Sequence, residues 1–256
     1  MTTAGQNRHG SDVLENKKSV KISVISATYN AAKELPRLID SLRAQTDENF
    51  EWVVADGGSK DSTVDILESI EDLDVVVSSQ QDFGIYDALN RAIKISSGAY
   101  YIVVGSDDVL NDNAISDYRS MIEESGADIV TAKVVSSDEI IEFSKTGSWI
   151  SGMSAFISCH SVGAAFKKDL HEKYGFYSNK FPIAADKLFV KLACQDGATI
   201  CKADFVAGRY ANDGFSGQDP LGSISESFRI QLMTEQSKPL QLVIFLIRLL
   251  KNYSRY

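Results

Sequence analysis

The sequence predicts one α/β domain built on an open, mostly parallel sheet with helices on both faces. Short apolar runs alternate with segments of helical periodicity, and each run ends in polar turn residues. With 44% hydrophobic residues, a chain of 256 residues can form one large core. Parallel strands of this kind are joined by right-handed crossovers. The C-terminal half, from about residue 136, is expected to be a mixed α+β region of the same domain.

The first two predicted strands each lead into a polar turn. The run that begins at Lys21 ends in Thr28-Tyr29-Asn30, and residues 35 to 42 then place leucine and isoleucine on one helical face. The second run, residues 50 to 55, ends in Asp56-Gly57-Gly58-Ser59. Two β-α units in succession indicate neighbouring parallel strands.

The pattern continues through two more strands. Residues 62 to 65 have capping-box spacing for a second helix, and Val75-Val-Val is the third apolar run. A third helix carries apolar residues between positions 85 and 93, and Gly98 is predicted to end it in a left-handed conformation. The fourth strand is the run from Tyr100 to Val104.

Two carboxylates, Asp107 and Asp108, come directly after the fourth strand. Hard cations such as Mg²⁺ take oxygen ligands and commonly bridge protein carboxylates to nucleotide phosphates. The alternative is a polar turn in which Asp108 or Asp112 caps the next helix. Polar clusters also follow the first and second strands, and ligands of parallel sheets bind at the carboxyl ends of the strands. Together, the three clusters favour a binding site.

These clusters resemble the motifs of family 2 glycosyltransferases, which are inverting enzymes with the nucleotide-diphospho-sugar transferase (GT-A) fold. The resemblance runs from about Lys21 to about Ser216. Gly105 stands where the first acid of the family's Asp-x-Asp motif is expected. The four pieces that carry the resemblance are Thr28-Tyr29-Asn30, Asp56-Gly57-Gly58-Ser59 with Asp61, Asp82-Phe83-Gly84-Ile85 leading to Asn90, and Gly105-Ser106-Asp107-Asp108.

The resemblance implies a binding site for a UDP-sugar and a divalent cation. The turn at Thr28 and the carboxylate of Asp56 would hold the uracil, with Asp56 accepting a hydrogen bond from the ring imide. Asp107, with Asp108 beside it, would ligate Mn²⁺ or Mg²⁺ on the diphosphate. The nucleotide-binding residues would be Thr28, Tyr29, Asn30, Asp56, Gly57, Gly58, Ser59, Asp82, Gly84, Asn90, Ser106 and Asp107.

Asp186 is the predicted catalytic base. The resemblance places an acidic residue at the start of a helix here and assigns it this role, although Ala185 replaces the neighbouring acid of the family. The attacking hydroxyl must lose its proton as it bonds to the anomeric carbon, which calls for a carboxylate opposite the diphosphate. The alternative is that Asp186 only complements the helix dipole.

Three further residues are candidates for contacts with the donor or the acceptor. Trp149 would stack on a sugar ring through its apolar face, or else be a buried core residue. His160 aligns with an acceptor-side segment of some relatives, or else is a structural histidine. Arg209 and the loop at residues 212 to 217 resemble the family's closing loop over the donor, with an ordinary mobile loop as the alternative.

The acidic net charge and the absence of two nucleotide-binding motifs exclude some classes of partner and of phosphate site. The chain has 26 Lys and Arg residues against 35 Asp and Glu residues, a formal charge of -9, and no nucleic-acid partner is expected. It contains neither Gly-x-x-x-x-Gly-Lys-(Ser/Thr) nor Gly-x-Gly-x-x-Gly, so a P-loop and a dinucleotide-binding fingerprint are excluded. No basic cluster lies beside the predicted phosphate position. A metal is therefore expected to neutralise the leaving diphosphate.

The two termini are expected to differ from the domain. Residues 1–19 are predicted to be a disordered tail, followed by a catalytic domain at 20–225 and a helical extension at 226–256. Within the domain, residues 20–135 would hold the nucleotide-sugar and residues 136–225 the acceptor. The apolar and then basic stretch at 240–256 is too short to span a bilayer. It predicts either an interfacial helix on a membrane or a helix that packs in the core or in a homodimer.

Cysteine usage favours a reducing compartment. The three cysteines show no Cys-x-x-Cys spacing, and residues 1–19 lack the apolar core of a signal peptide. A cytoplasmic location is expected, peripheral to the inner face of the membrane if the terminal helix is interfacial.

The predicted function is inverting, metal-dependent transfer of a sugar, of the hexosyltransferase class, from a UDP-sugar to a hydroxyl of a glycan or lipid-linked saccharide, as in surface polysaccharide biosynthesis. One alternative is a nucleotide-sugar-binding protein without transfer activity. Another is a nucleotidyltransferase of related fold, which is disfavoured because no Gly-rich, Arg-containing phosphate loop follows the first strand. The sequence does not predict the donor sugar, the acceptor, the linkage or the oligomeric state.

Overall fold

The computed structural model describes residues 19–158, 160–210 and 219–253, in which helices flank a sheet of nine strands. The strands are β1 (Ile22–Thr28), β2 (Phe50–Asp56), β3 (Val75–Ser79), β4 (Tyr100–Val103), β5 (Val109–Leu110), β6 (Ile129–Ser136), β7 (Glu139–Ile141), β8 (Ala164–Lys167) and β9 (Ile200–Arg209). The α-helices are α1 (Leu35–Arg43), α2 (Thr63–Glu68), α3 (Ile85–Ile95), α4 (Ala114–Ser125), α5 (Ser148–Ser151), α6 (Leu170–Tyr174), α7 (Ala185–Gln195), α8 (Pro220–Thr234) and α9 (Lys238–Lys251).

The first four strands form the parallel half of the sheet, in the order β3-β2-β1-β4. Strand β1 pairs in parallel with both β2 and β4, and β2 pairs in parallel with β3. All four carboxyl ends therefore meet at one edge, as the alternating pattern predicts.

The second half of the sheet is mixed. Strand β8 is antiparallel to β4 and to β6, whereas β9 is parallel to β6 and antiparallel to the short strand β5. The short strand β7 also pairs antiparallel with β6. The mixed pairing agrees with the α+β region expected from about residue 136.

Helices cover both faces of the parallel strands. Alternate residues of each strand point to opposite faces, so Val24 of β1 joins a core with α1 and α4, whereas Ile25 joins a core with α3 and α7. Strand β2 divides in the same way between Trp52 and Val53. These strands are buried on both sides, which explains why they lack a strict alternation of apolar and polar residues; the buried polar residues Ser23, Ser26 and Glu51 are hydrogen-bonded.

Helix α2 begins directly after Ser62, as the spacing predicts, but two details of the predicted helix ends are wrong. Ser62 makes no side-chain cap bond at the start of α2; Asp61 Oδ1 instead accepts from the N–H of Thr63 at 3.1 Å. Gly98 is not left-handed, since α3 ends at an extended Ser96. A Cβ atom at Gly98 would lie 2.7 Å from the backbone nitrogen of Ser23, so glycine is needed there for a close approach of two chain segments.

The domain boundary expected at residue 225 falls inside α8. Glu226 of this helix accepts backbone N–H groups of Ile183 and Ala184 just before α7, at 3.0 and 2.9 Å, and Ile230 is buried in the core with α7. Helix α8 is thus an integral part of the domain. The tail expected at residues 1–19 lies outside the described residues except for Ser19.

Helix α9 packs on the domain through one face only. Gln241 and Ile244 are buried, and the guanidinium of Arg248 donates to the carbonyl of Ile150. The opposite face exposes apolar side chains, among them Leu246 and Leu250. None of the helices in the described part of the chain has the length and apolar character needed to cross a bilayer. The packing of one face fits the core alternative for this helix, and the exposed face leaves membrane or dimer contact as predictions.

Candidate active site

The loops after β1 and β2 are held together by hydrogen bonds between them. The N–H of Asn30 donates to Ser59 Oγ at 2.8 Å, and the N–H of Lys60 donates to Asn30 Oδ1 at 2.8 Å. The N–H of Gly57 donates to the carbonyl of Thr28 at 2.8 Å. Asn30 is left-handed with φ of 50°, a conformation that asparagine tolerates better than most residues. Tyr29 is 62% exposed at the tip of the first loop.

Asp56 holds the loop after β2 in place through hydrogen bonds to its carboxylate. Its carboxylate is fully buried and accepts from the N–H groups of Gly58 and Ser59, both at 2.9 Å, and from the hydroxyls of Thr28, Ser59 and Ser79. Burial raises the pKa of Asp56, but the donors from Ser59, Ser79 and Gly58 outweigh it and lower the pKa below its ordinary value. These donors fill the acceptor capacity of the carboxylate. The predicted contact with a uracil imide would require one of the serine hydroxyls to turn away, and it stays a prediction.

The carboxylates of Asp107 and Asp108 converge above Gly105. A Cβ atom at position 105 would lie 2.8 Å from Asp107 Oδ1 and 2.9 Å from Asp108 Oδ2. Asp108 is buried and accepts from the N–H of Gly105 at 2.7 Å, whereas Asp107 is partly exposed in the turn with Ser106. A larger residue at 105 would push the two carboxylates apart, which explains the glycine at this position of the motif.

The alternative reading of Asp108 and Asp112 as helix caps is not supported. Helix α4 begins after Asn113, which occupies the N-cap position without a side-chain cap bond. The two carboxylates after β4 are therefore not explained by the helix that follows them.

The loop after β3 contacts the loop after β2. Asp82 Oδ1 accepts from the N–H of Gly84 at 3.0 Å, and Gly84 adopts φ of 110° as it starts α3. A Cβ atom at Gly57 would lie 2.6 Å from Asp82 Oδ2, so the glycine allows the two loops to touch. The polar turns after β1, β2 and β3 thus form one continuous surface.

Asn90 has a structural role. Its side-chain amide donates to the carbonyl of Tyr177 at 2.8 Å and accepts from the N–H of the same residue at 2.9 Å, and it is buried. The expected contact with the nucleotide does not fit this position, because both ends of the amide are used to tie α3 to the chain before α7.

Asp186 lies in the first turn of α7 and is held by a residue of α3. The hydroxyl of Tyr86 donates to Asp186 Oδ1 at 2.6 Å and lies 3.1 Å from the carbonyl of Ile183. Glu226 accepts the backbone N–H groups before the helix, so Asp186 does not cap α7 by a hydrogen bond. Burial, followed by the charge of Asp186, raises the pKa of Tyr86 well above its ordinary value, so the tyrosine stays a proton donor to the carboxylate.

Arg91 is a cation at this edge that the sequence did not indicate. One guanidinium nitrogen donates to the carbonyl of Asp56 at 2.7 Å, while Nε and Nη1 are buried and have no hydrogen-bond partner among the described residues. In sequence, Arg91 looks like an ordinary polar residue on an amphipathic helix. Tyr86 was missed for the same reason. Its position one turn before Asn90, on a helix that starts at the carboxyl end of β3, is the signal that would have found it.

His160 lies against Asp108. Its Nδ1 is 3.9 Å from Asp108 Oδ2 and accepts from the N–H of Val162 at 3.4 Å, while the ring stacks on Tyr210 with centroids 4.1 Å apart. Burial lowers the pKa of His160 to about 4, so the ring is neutral at pH 7. His160 therefore lies next to the acidic pair, as a functional residue would, and its contacts with Val162 and Tyr210 are those of a structural histidine.

A family model decides the classification. The model of glycosyl transferase family 2 matches residues 23–194, about two thirds of the chain, which include the turns after β1, β2 and β3, the acidic pair and Asp186. The chain belongs to this family.

Curated relatives of this family 2 glycosyltransferase match over part of its length. A PGL/p-HBAD biosynthesis glycosyltransferase of Mycobacterium bovis is 37% identical over 91 residues, which are 34% of this chain and 36% of that protein. The glycosyltransferase GlyG of Streptococcus pneumoniae is 31% identical over 121 residues, 46% of this chain and 40% of GlyG. The matches span less than half the length of either relative.

Solved structures share the fold over nearly the whole chain. The S. aureus TarS fragment 1-349, in a complex with UDP-GlcNAc, has a TM-score of 0.66 and 22% identity and covers 92% of this chain and 73% of its own. The mannosyltransferase PcManGT from Pyrobaculum calidifontis, in a complex with GDP-Man and Mn²⁺, has a TM-score of 0.64 and 17% identity and covers 93% of this chain and 76% of its own. The predicted GT-A fold is confirmed.

Trp149 and Arg209, two of the remaining candidate residues, lie at the surface. Trp149 is 47% exposed, so it is not the buried core residue of the alternative interpretation, and its stacking on a sugar stays a prediction. Arg209 ends β9 and pairs with Asp138 at 2.8 Å. The loop at residues 212 to 217 lies outside the described residues.

Proposed function

We propose that this glycosyltransferase moves a sugar from a UDP-sugar to an acceptor hydroxyl with inversion, using a divalent cation at Asp107 and Asp108 and Asp186 as the base. The observation that carries the proposal is the hydrogen bond between Tyr86 and Asp186. Helix α3 begins at the predicted donor loop, so this bond fixes the predicted base relative to the nucleotide-binding edge of the sheet.

The acidic pair fits a cation by its donor chemistry. Asp107 Oδ1 and Asp108 Oδ2 both lie next to Gly105, within 3 Å of the position that a Cβ atom would take there, and carboxylate oxygens are the ligands that Mg²⁺ and Mn²⁺ prefer. No cluster of three or more acidic, histidine or cysteine ligands occurs among the described residues. A cation shared with the donor diphosphate suits a pair of carboxylates. Such a cation would act as a Lewis acid on the leaving group.

The residues around Asp186 support its role as base. Tyr86 holds Oδ1, and no hydrogen bond to Oδ2 occurs within the described ranges, so Oδ2 can receive the proton of the acceptor hydroxyl. As this proton leaves, the hydroxyl oxygen bonds to the anomeric carbon, the bond from that carbon to the diphosphate oxygen breaks, and UDP departs. Attack from the face opposite the leaving group inverts the anomeric configuration.

Arg91 is proposed to contact the nucleotide part of the donor. Its guanidinium has two buried nitrogens without a partner among the described residues, and leaving such groups unpaired is costly. A donor whose phosphate or base oxygens reach the carboxyl end of β2 would supply acceptors. UDP is proposed as the nucleotide because the motifs resemble UDP-sugar sites and because a TarS structure of the same fold holds UDP-GlcNAc.

A donor panel tests the proposal. Full-length protein would be melted with UDP-sugars, GDP-mannose and free UDP, each with Mn²⁺ and with EDTA. A ligand that binds only the folded state raises the melting temperature by mass action. We expect stabilisation by one UDP-sugar only with Mn²⁺, UDP release with a saccharide acceptor, and an inverted anomeric signal by proton NMR.

Other outcomes would point to other functions. Binding of the UDP-sugar without turnover on a broad acceptor panel would favour a binding protein. Pyrophosphate release from UTP and a sugar phosphate would favour a nucleotidyltransferase. Stabilisation by GDP-mannose alone would overturn the choice of UDP.

A further inference from the structure

A pocket lies against α7, the helix that carries the predicted base. It has a volume of about 270 Å³ and lies between α7, α8, α9 and a short 3-10 helix at Gly152–Ala155. Lys187 and Lys191 of α7 and Arg248 of α9 line it, together with Ser227 and Gln231 of α8. A pocket with three basic side chains is not expected from a chain with a formal charge of -9.

Two of the three cations have only neutral partners. Lys187 Nζ donates to the hydroxyls of Ser223 and Ser227 at 3.3 and 3.2 Å, and Arg248 donates to the carbonyl of Ile150. Neither forms an ion pair with a carboxylate of the described residues. Lys191 is the exception among the three, since its Nζ lies 2.6 Å from Glu235 Oε1.

The positive charges are close enough to affect each other. Lys191 is almost completely buried, and its pKa is lowered by burial and, in part, by the charge of Arg248. Burial also lowers the pKa of Arg248. Lys191 already has a carboxylate partner, whereas Lys187 and Arg248 are half-buried and have none among the described residues. An anion bound by Lys187 and Arg248 would supply the negative charge that these two cations lack.

The polar groups suit a tetrahedral oxyanion. The planar guanidinium of Arg248 can bind two phosphate oxygens at once, whereas Lys187 supplies a point charge and the neighbouring hydroxyl of Ser227 can donate to a third oxygen. Lys187 directly follows Asp186 in α7, and consecutive residues of a helix point about 100° apart. The pocket therefore opens on the face of α7 adjacent to the one that carries the predicted base.

We propose that this pocket binds a phosphate group of the acceptor, so that the acceptor is a phosphorylated saccharide or a saccharide joined through phosphate to a carrier. This inference rests on the proposed function, because it takes Asp186 as the group that the acceptor hydroxyl approaches. The phosphate would orient the acceptor from the flank of the base. An anionic membrane lipid is the competing occupant, since the face of α9 opposite Arg248 exposes the apolar side chains of Val243 and Leu246.

A titration with inorganic phosphate tests the pocket without knowledge of the acceptor. The donor site would first be saturated with UDP and Mn²⁺, and ionic strength would be matched with sodium chloride. We expect phosphate to raise the melting temperature of the wild-type protein, and Lys187→Met to weaken the apparent affinity by about ten-fold or more through loss of a charged donor. Arg248→Gln should act in the same direction. Lys180→Met removes an exposed charge just before α7 and is the matched control.

The outcomes separate this inference from the proposed function. Equal phosphate responses of wild-type protein and Lys187→Met would overturn the phosphate pocket, even if UDP binds and sugar is transferred. Failure of the wild-type protein to bind UDP would instead contradict the proposed function. With vesicles of phosphatidylglycerol or phosphatidylcholine, flotation that depends on Lys187 and on the anionic lipid would assign the pocket to a lipid headgroup and overturn the acceptor. A Michaelis constant raised by Lys187→Met for a phosphorylated acceptor, but not for its unphosphorylated counterpart, is the supporting result.

Discussion

Strand β2 carries a buried carboxylate near each end, and the two differ in the parts of the chain that they connect. Glu51, near the amino end, accepts from the buried hydroxyl of Ser23 in β1 and from the backbone and hydroxyl of Ser97, which precedes β4. Asp56, at the carboxyl end, accepts from Gly58 and Ser59 of its own loop and from the hydroxyls of Thr28 and Ser79 on the neighbouring strands. Both are satisfied, but Glu51 joins β2 to β1 and to the chain before β4, whereas Asp56 also orders the loop that follows β2.

The two glycines at these edges differ in the same way. At Gly98, an added Cβ atom would meet the backbone of Ser23, which cannot move without disturbing β1. At Gly105, it would meet the carboxylates of Asp107 and Asp108, which are side chains. The amino edge is therefore a packed junction of backbone, whereas at the carboxyl edge the atoms nearest to the glycine belong to side chains.

The largest effect is expected at the predicted base. Asp186→Asn keeps the shape of the side chain but cannot take a proton, so turnover should fall by about 10² to 10⁴ while UDP affinity is retained. Steady-state rates and UDP titrations would be measured on purified protein. Asp169→Asn, an exposed carboxylate at the start of α6, is the control and should leave turnover unchanged. Near-normal turnover of Asp186→Asn would assign the base to another group.

At the amino edge, stability rather than activity should change. Burial raises the pKa of Glu51, but hydrogen bonds from Ser23 and Ser97 and the charge of Lys21 outweigh it and lower the pKa to about 2. A lowered pKa means that the ionised form stabilises the fold above the ordinary pKa of glutamate, and that this contribution is lost as the pH falls toward 2. Glu51→Gln should cost up to about 3 kcal/mol of unfolding free energy at pH 7. Urea unfolding at several pH values checks this, and a variant with wild-type stability would show that the network is not stabilising.

The strands of the parallel half, and the turns that end them, can be predicted from the sequence because each strand is followed along the chain by its own turn and helix. The apolar runs at β1, β2 and β4 and the turns after them are local signals. The mixed half was predicted only as a class, since the pairing of β6 with β8 and β9 depends on contacts distant in sequence. Gly98 was misassigned because its role is a tertiary approach to Ser23, which helical periodicity does not report.

At the carboxyl edge, a substitution that removes the hydrogen bonds of the loop after β2 should weaken the binding of UDP. Asp56→Asn keeps one acceptor oxygen but replaces the other with a donor, so the N–H groups of Gly58 and Ser59 lose a charged partner. UDP affinity should fall by about 1 to 3 kcal/mol. Isothermal titration calorimetry measures it, with Ser79→Ala as a graded variant that removes one donor to Asp56. Unchanged affinity in both variants would separate this loop from the nucleotide site.

The smallest effects should distinguish the two glycines. Gly98→Ala would force a methyl group against backbone and should lower the unfolding free energy by about 1 to 3 kcal/mol. Gly105→Ala should leave stability closer to that of the wild-type protein, since carboxylates can rotate, but should weaken Mn²⁺ binding. Thermal unfolding and a Mn²⁺ titration in the presence of UDP would be compared for both. The reverse pattern would contradict the assignment of the two edges.

Calorimetric titration of UDP into the wild-type protein, Asp107→Asn and Glu51→Gln, each with Mn²⁺ and then with EDTA, tests the central claim most directly. The claim is that the carboxyl edge of the parallel strands is a metal-dependent nucleotide-sugar site. We predict tight binding only with Mn²⁺ for the wild-type protein and Glu51→Gln, and loss of the Mn²⁺ dependence together with weaker binding for Asp107→Asn. Equal UDP affinity of wild-type protein and Asp107→Asn under both conditions would contradict the claim.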